Sequence, residues 1–270
     1  MTDQAALYLF PNLLDNQCDP DAVFPAQLGE AVAEIDGLIA ESEKAGRAFL
    51  SRFKTKKPAR EIPIALLNEH STKADIDFLM EPLLDEGECW GLVSDAGLPC
   101  IADPGAQLVA YARRCGVEVK AFSGPSSILL ALMLSGLGGQ SFTFHGYLSR
   151  QPEKREEQLR AMEHASRQQQ MTQIFIEAPY RNQPALEQMV KILDPHTRLC
   201  VAWSLTAPDQ GVISQSITAW RQHELPDIQK KPATFILRAG GKPLQANAKP
   251  AAKRAPKRGY HKRKPRRGSV

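Results

Sequence analysis

No apolar run in this sequence approaches the roughly 20 residues needed to span a bilayer. Its first residues, Met1-Thr2-Asp3-Gln4, lack the basic region of a secretory signal, which points to a cytoplasmic protein without a membrane anchor. Cysteine is sparse, odd in number and scattered (Cys18, Cys89, Cys100, Cys115, Cys200), with no C-x-x-C pair. Such a set reads as reduced thiols, not as a disulfide framework or a zinc site. The six histidines show no metal-ligand spacing, so no metal is expected. The motifs G-x-G-x-x-G, the P-loop, H-E-x-x-H and G-x-S-x-G are all missing, which disfavours dinucleotide-linked redox, nucleotide hydrolysis and serine hydrolysis. Acidic residues are also missing from the basic C-terminal segment, 242–270.

That last absence reshapes the charge balance. The formal net charge is +4, yet residues 242–270 hold 11 Lys and Arg with no Asp or Glu. Residues 1–241 are left with 23 basic against 30 acidic residues, a net charge of −7. An acidic body with a basic tail suits a protein that meets phosphate through the tail. With only Leu244, Tyr260 and Val270 as sizeable apolar residues, the tail is expected to be disordered. The body, in a chain 43% hydrophobic and 24% charged, is long enough for two globular domains.

Apolar runs at 5–10, 36–40, 62–67, 89–93 and 117–122 read as strands. Helical spacing separates them at 28–35, 46–53, 73–85 and 107–114. This β-α-β-α alternation predicts a parallel sheet covered by helices. Ser123-Gly124-Pro125-Ser126-Ser127 then breaks the pattern and opens an apolar helix, 128–134, so a domain boundary is placed near Phe122. Beyond it, strands at 172–176, 198–203, 212–213 and 233–237 outnumber the helices at 153–169 and 184–193, which predicts a mixed sheet. The expected architecture is therefore α/β: an N-terminal domain over 1–122, a C-terminal domain over 123–241, and the tail.

The stretch 91–105 organises the chain. An apolar strand stops abruptly at Ser94-Asp95, and a loop with two Gly and two Pro follows. A strand delivering a carboxylate and small residues into a tight loop is how open α/β sheets build ligand sites. An ordinary strand-to-helix turn with a capping Asp fits the same residues.

Ser94-Asp95-Ala96-Gly97-Leu98-Pro99, followed by Ala102-Asp103-Pro104-Gly105, resembles the tetrapyrrole methylase family of S-adenosylmethionine-dependent methyltransferases. The branch it is most similar to methylates small-subunit ribosomal RNA at a cytidine 2′-hydroxyl. The likeness continues in order through Ser123-Gly124-Pro125-Ser126-Ser127, Leu134-Ser135-Gly136-Leu137, Phe144-His145-Gly146-Tyr147-Leu148 and Phe175-Ile176-Glu177-Ala178-Pro179-Tyr180-Arg181. Pro232-Ala233-Thr234 resembles a Pro-Ala segment of the porphyrin-methylating members. The chain departs from the branch at Pro11-Asn12-Leu13-Leu14-Asp15, which has no glycine, and at Ala40-Glu41-Ser42-Glu43-Lys44, which lacks an aspartate and an arginine. His145 replaces a glutamate, and the basic tail stands in place of a helical C-terminal extension.

The resemblance implies two α/β domains with the cofactor in the cleft between them, usually as a homodimer. It implies that S-adenosyl-L-methionine is held by Leu14, Ser94, Asp95, Ala96, Gly97, Ile101, Ala102, Ser126, Ser127, Glu177, Ala178, Pro232, Ala233 and Thr234. A hydroxyl acceptor also needs a group to take its proton. His145 and Glu177 are the candidates. The leading expectation is methylation of RNA, ribosomal and at a ribose 2′-hydroxyl, with the tail supplying phosphate affinity. A small-molecule acceptor, tetrapyrrole-like or otherwise, and a non-catalytic nucleic-acid-binding protein are the alternatives.

Overall fold

A computed structural model describes residues 5–240. The tail, with its expected disorder, lies outside them. Five strands, β1 (Ala6–Phe10), β2 (Gly37–Ala40), β3 (Ile64–Leu66), β4 (Cys89–Val93) and β5 (Glu118–Ala121), form one sheet in the order β3-β2-β4-β1-β5. Every pairing in it is parallel. The second sheet contains β6 (Phe142–Tyr147), β7 (Thr172–Ile176), β8 (Arg198–Trp203), β9 (Gly211–Ser216) and β10 (Ala233–Arg238), in the order β6-β7-β10-β8-β9. It is mixed: β6 and β7 run parallel, and the remaining pairings are antiparallel.

The helices follow from capping and burial. They are α1 (Pro20–Val23), α2 (Ala26–Ala33), α3 (Glu43–Leu50), α4 (Lys73–Asp85), α5 (Ala106–Arg114), α6 (Ser127–Ser135), α7 (Pro152–Gln169), α8 (Asn182–Ile192) and α9 (Ile217–Trp220). Thr72 and Asp75 form a reciprocal capping box that starts α4, and Pro152 opens α7 where a missing N–H costs nothing. Both sheets are covered on both faces. In the first, Leu28, Val32, Phe49 and Leu50 from α2 and α3 pack on one side. Ile76, Met80, Leu108 and Ala112 from α4 and α5 pack on the other. In the second, Met162, Leu186, Met189 and Trp220 cover one face, and Ile128, Ala131 and Leu132 of α6 cover the other. Among the described residues no helix is long and apolar enough to cross a membrane.

Two boundaries differ from the periodicity reading. The third helix begins at Glu43, capped by the Ser42 hydroxyl, and ends at Leu50, so Gly46 lies inside it and does not open it. Glycine is a poor helix former, but here packing overrides propensity. A Cβ on Gly46 would sit 2.9 Å from Ile64 Cδ1 and 3.2 Å from Ala40 Cβ, so glycine lets α3 lie close to β2 and β3 without displacing them. The loop expected up to Pro25 also contains the one-turn helix α1, capped by Asp19.

Candidate active site

In the first sheet the neighbours β2 and β4 send their chains in opposite directions, β2 toward β3 and β4 toward β5. Such a divergence opens a crevice at the carboxyl ends of the two strands. Glu41 follows β2 and Asp95 follows β4, and the Asp95 N–H donates to Glu41 Oε1 at 3.0 Å. Glu41 belongs to a segment where the chain departs from the family branch, and it nonetheless holds the organising loop in place.

The other departing segment acts as a clamp. Buried Asn12 donates through Nδ2 to the carbonyls of Ser94 at 2.8 Å and Asp95 at 3.0 Å. Its Oδ1 accepts from the Leu13 N–H and from Arg52 Nη1, both at 2.9 Å. Its backbone bonds Gly97 in both directions. One side chain thus joins the first loop, the Asp95 loop and the end of α3, with each amide atom satisfied, as burial demands. At Gly97, φ is +73° and a Cβ would lie 3.3 Å from Leu14 Cδ2, so the glycine there is set by backbone and space together.

These loops form one wall of a cleft of about 360 Å³, and loops of the second sheet form the other. Of the residues implied by resemblance, Leu14, Asp95, Ala96, Gly97, Ile101 and Ala102 line it from the first side. Ser126, Ser127, Glu177, Pro232, Ala233 and Thr234 line it from the second. Ser126 also caps α6 through a 3.4 Å bond from the Leu129 N–H, so capping and lining coexist. Ser94 is buried behind the wall, where its carbonyl receives Asn12, and Ala178 is outside the lining while its N–H donates to Glu177. His145 is exposed on β6, bonded through Nε2 to Gln173 Oε1 at 2.7 Å, and is not part of the cleft lining. The structure therefore does not place it beside Glu177 at the site.

Glu177 is the most constrained group. Its side chain is 0% exposed and faces two arginines. Oε1 accepts from Arg181 Nε at 2.9 Å, from Arg181 Nη2 and from the Ala178 N–H. Arg155 Nη1 stands 4.0 Å from Oε2, which has no hydrogen-bond partner among the described residues. An ion pair thus anchors one oxygen and leaves the other as a buried acceptor on a cleft residue.

Opposite it lies a group of carboxylates that sequence reasoning did not assign to the site. Asp103 and Glu41 line the cleft beside Asp95, together with Asp15. Burial, and then the charges of Glu41 and Asp95, push the Asp103 carboxyl up to about 7. Burial also raises Glu41, opposed by the bond from Asp95 and reinforced by that residue's charge. Tyr147 closes the same side after a bulge between Phe144 and Tyr147, and burial followed by the Asp103 charge raises its phenol. The motif Ala102-Asp103-Pro104-Gly105 was the available signal for Asp103. Ser204 and Leu205 of the cleft follow β8 without any motif.

Backbone strain marks both walls. Cys100 and Ala102 have φ of +68° and +67°, and Ser204 and Thr206 have φ of +47° and +72°. Each such non-glycine residue costs on the order of 1 kcal/mol or more and concentrates where a loop is shaped for a ligand. The cleft offers carboxylate acceptors, an orphaned buried oxygen, small residues and an apolar floor of Ile128, Ile176 and Ala202. These donor and acceptor types fit a zwitterionic sulfonium nucleoside. Its amine and hydroxyls need acceptors, and its ring needs close, apolar contact.

Residues 21–219 match the family described as Tetrapyrrole (Corrin/Porphyrin) Methylases. Ribosomal RNA small subunit methyltransferase I of Haemophilus influenzae is 29% identical over 218 residues, 81% of this chain and 74% of that protein. The protein of the same name from Vibrio cholerae is 32% identical over 236 residues, 86% of this chain and 76% of that one. Among solved structures, the methyltransferase CobJ aligns with a TM-score of 0.57 at 14% identity, covering 88% of this chain and 99% of that chain, a likeness of fold alone.

Proposed function

The chain belongs to the tetrapyrrole methylase family, and on that premise we propose that it is an S-adenosylmethionine-dependent methyltransferase of ribosomal RNA, acting at a ribose 2′-hydroxyl in the cytoplasm. The observation that carries this reading is the cleft. It joins the Asp95 loop of one sheet to Glu177 and the Pro232-Ala233-Thr234 segment of the other around an unpartnered carboxylate oxygen. When bound, the cofactor supplies an electrophilic methyl group. Asp95 and Glu177 Oε2 are the acceptors for its polar groups, and Ala96, Gly97, Ala102 and Ala233 permit close approach. Methyl transfer is a displacement at carbon, so the protein's task is to align the acceptor and exclude water. The names of the relatives favour RNA as the acceptor over a small molecule.

The test offers radiolabelled methyl donor with purified small ribosomal subunits, bulk RNA and a small-molecule extract. Label is expected in RNA and in a ribose-methylated nucleoside after digestion. Label confined to the extract would favour a small-molecule acceptor, and cofactor binding without transfer would favour a binding protein. Deleting residues 242–270 shifts the formal net charge from +4 to −7. It should weaken RNA binding tenfold or more and flatten its salt dependence by about 0.7 in log–log slope for each single-strand phosphate that is no longer neutralised. Equal slopes for the two proteins would make the tail a bystander.

The homodimer is supported by α6, which packs one side on the second sheet and leaves Leu129, Met133 and Leu134 exposed at 49%, 77% and 48%. Clustered apolar side chains of this size on one surface mark an association face. Sedimentation of the full chain should give two copies, and Met133→Glu should shift the mass toward one. A single-copy mass for the unaltered chain would end this part of the reading.

A further inference from the structure

A second cavity of about 270 Å³ lies beside the cofactor cleft, between the end of β3 and the start of α5. Its polar lining includes Asn68, Glu69, Ser71 and Gln107. The two cavities share one residue, Asp103. Both sit at the carboxyl ends of strands in the parallel sheet, where a doubly wound fold receives its ligands. We propose that Asp103 is the carboxylate that takes the proton of the acceptor hydroxyl, and that this second cavity receives the acceptor nucleotide. The inference rests on the methyltransferase reading above and names the base and the acceptor side of the same site.

The geometry distinguishes Asp103 from the other candidates. Glu177 has one oxygen committed to three donors, and His145 is off the cleft lining. Among the described residues no ion pair holds Asp103. Its charged and titratable surroundings are Glu41 after β2, Asp95 and Cys100 of its own loop and Tyr147 at the end of β6, with Glu69 on the neighbouring cavity wall. None of these is a cation, so no counter-charge neutralises the carboxylate. A base of this kind works best when its proton affinity is close to the operating pH, and burial with the Glu41 charge raises Asp103 to about 7. In the step itself the acceptor oxygen forms the new C–O bond as the C–S bond breaks with its electron pair left on sulfur. The hydroxyl proton passes to the Asp103 carboxylate and from there to water, and the released sulfur compound is a neutral thioether.

Three measurements on full-length Asp103→Asn test this. The first, without cofactor or RNA, is melting temperature from pH 5 to 8.5. The folded carboxyl binds a proton that the unfolded one, with its ordinary value near 3.8, has released. Stability from this group is therefore lost progressively as pH rises from near 3.8 to about 7, and the loss is complete above that. Glu41, raised in the same direction, adds to the slope in both proteins. The melting-temperature advantage of the variant should grow by several degrees from pH 5 to about 7 and stay constant from there to pH 8.5. The second is calorimetry with S-adenosylhomocysteine, where the variant should lose at least tenfold less affinity than it loses turnover, since Asp103 also lines the cofactor cleft. The third is turnover on small subunits, expected to fall 100-fold or more in the variant, with loss of the limb near pH 7 from the rate profile. A second variant, Gln107→Trp, fills the neighbouring cavity and should raise KM for RNA tenfold or more while S-adenosylhomocysteine affinity holds. Turnover of Asp103→Asn within threefold, a persisting limb, or a melting curve that ignores the substitution would each overturn the assignment. Failure of the unaltered chain to bind S-adenosylhomocysteine would instead overturn the methyltransferase reading, and this inference with it.

Discussion

Replacing Arg181 with alanine should destabilise the fold by about 3–5 kcal/mol, because it strips the bonded partner from a fully buried carboxylate. For a chain of this size that corresponds to a melting temperature lower by on the order of 10 °C. The side chains of Glu177 and Arg181 are 0% and 15% exposed, so water cannot replace the guanidinium. Arg155 remains, but at 4.0 Å from the other oxygen it cannot supply the two missing bonds. The loss comes from an orphaned charge and not from missing attraction alone. The double variant Glu177→Gln with Arg181→Ala should therefore recover most of it. Arg181→Lys keeps the charge without the planar fork and should fall between. Thermal unfolding of the three variants reads the series. A single Arg181→Ala loss below about 1 kcal/mol, or a double variant no better than the single, would mean the pair is solvated and Glu177 is not held as described. Because the double variant lacks the Glu177 carboxylate that lines the cleft, it should recover stability without recovering cofactor affinity.

Gly124→Ala should be nearly as damaging, at about 3 kcal/mol, with a tenfold or greater loss of S-adenosylhomocysteine affinity. A Cβ at this position would stand 2.0 Å from Pro11 Cβ and 2.6 Å from Cγ. A proline ring has no rotamer into which to retreat, so relief must come from moving the backbone. The backbone in question is buried Pro11 and the adjoining Asn12, whose bonds fix the Asp95 loop. The same exchange at Gly139 meets only an ordinary contact, Leu132 Cδ2 at 3.4 Å, and serves as the control for the entropy that any Gly→Ala change removes from the unfolded chain. Near-equal melting temperatures for the two variants would show that Pro11 yields, and would remove the argument that this junction sets the cleft.

Strand positions were legible because a strand buried on both faces is a continuous apolar run, as in β2, where all four residues are buried. Capping was legible where a hydroxyl stood before an apolar helix, as at Ser126. The sequence was least legible where tertiary contact outweighed local preference. Gly46 reads as a poor helix residue until Ile64 is seen against it. His145 reads as a candidate base until its place off the cleft lining is known. Asp103 stands within a motif but carries no mark of its own, because one aspartate among turn residues most often caps or ends a turn.

By itself the sequence determined the α/β class, the parallel first sheet and mixed second one, the loops at 94–105 and 123–127 as the points of interest, and the separation of an acidic body from a basic tail. Each of these follows from composition or from periods of two to four residues, which neighbours along the chain can carry. The strand order, the Asn12 clamp across 82 positions, the meeting of Glu41 with Asp95 and Asp103, and the pairing of Glu177 with Arg155 were decided only by tertiary structure. The reason is physical: a parallel sheet can be threaded in several orders with the same buried faces. A carboxyl's proton affinity likewise depends on which distant charges and how little water surround it, and no local pattern records either.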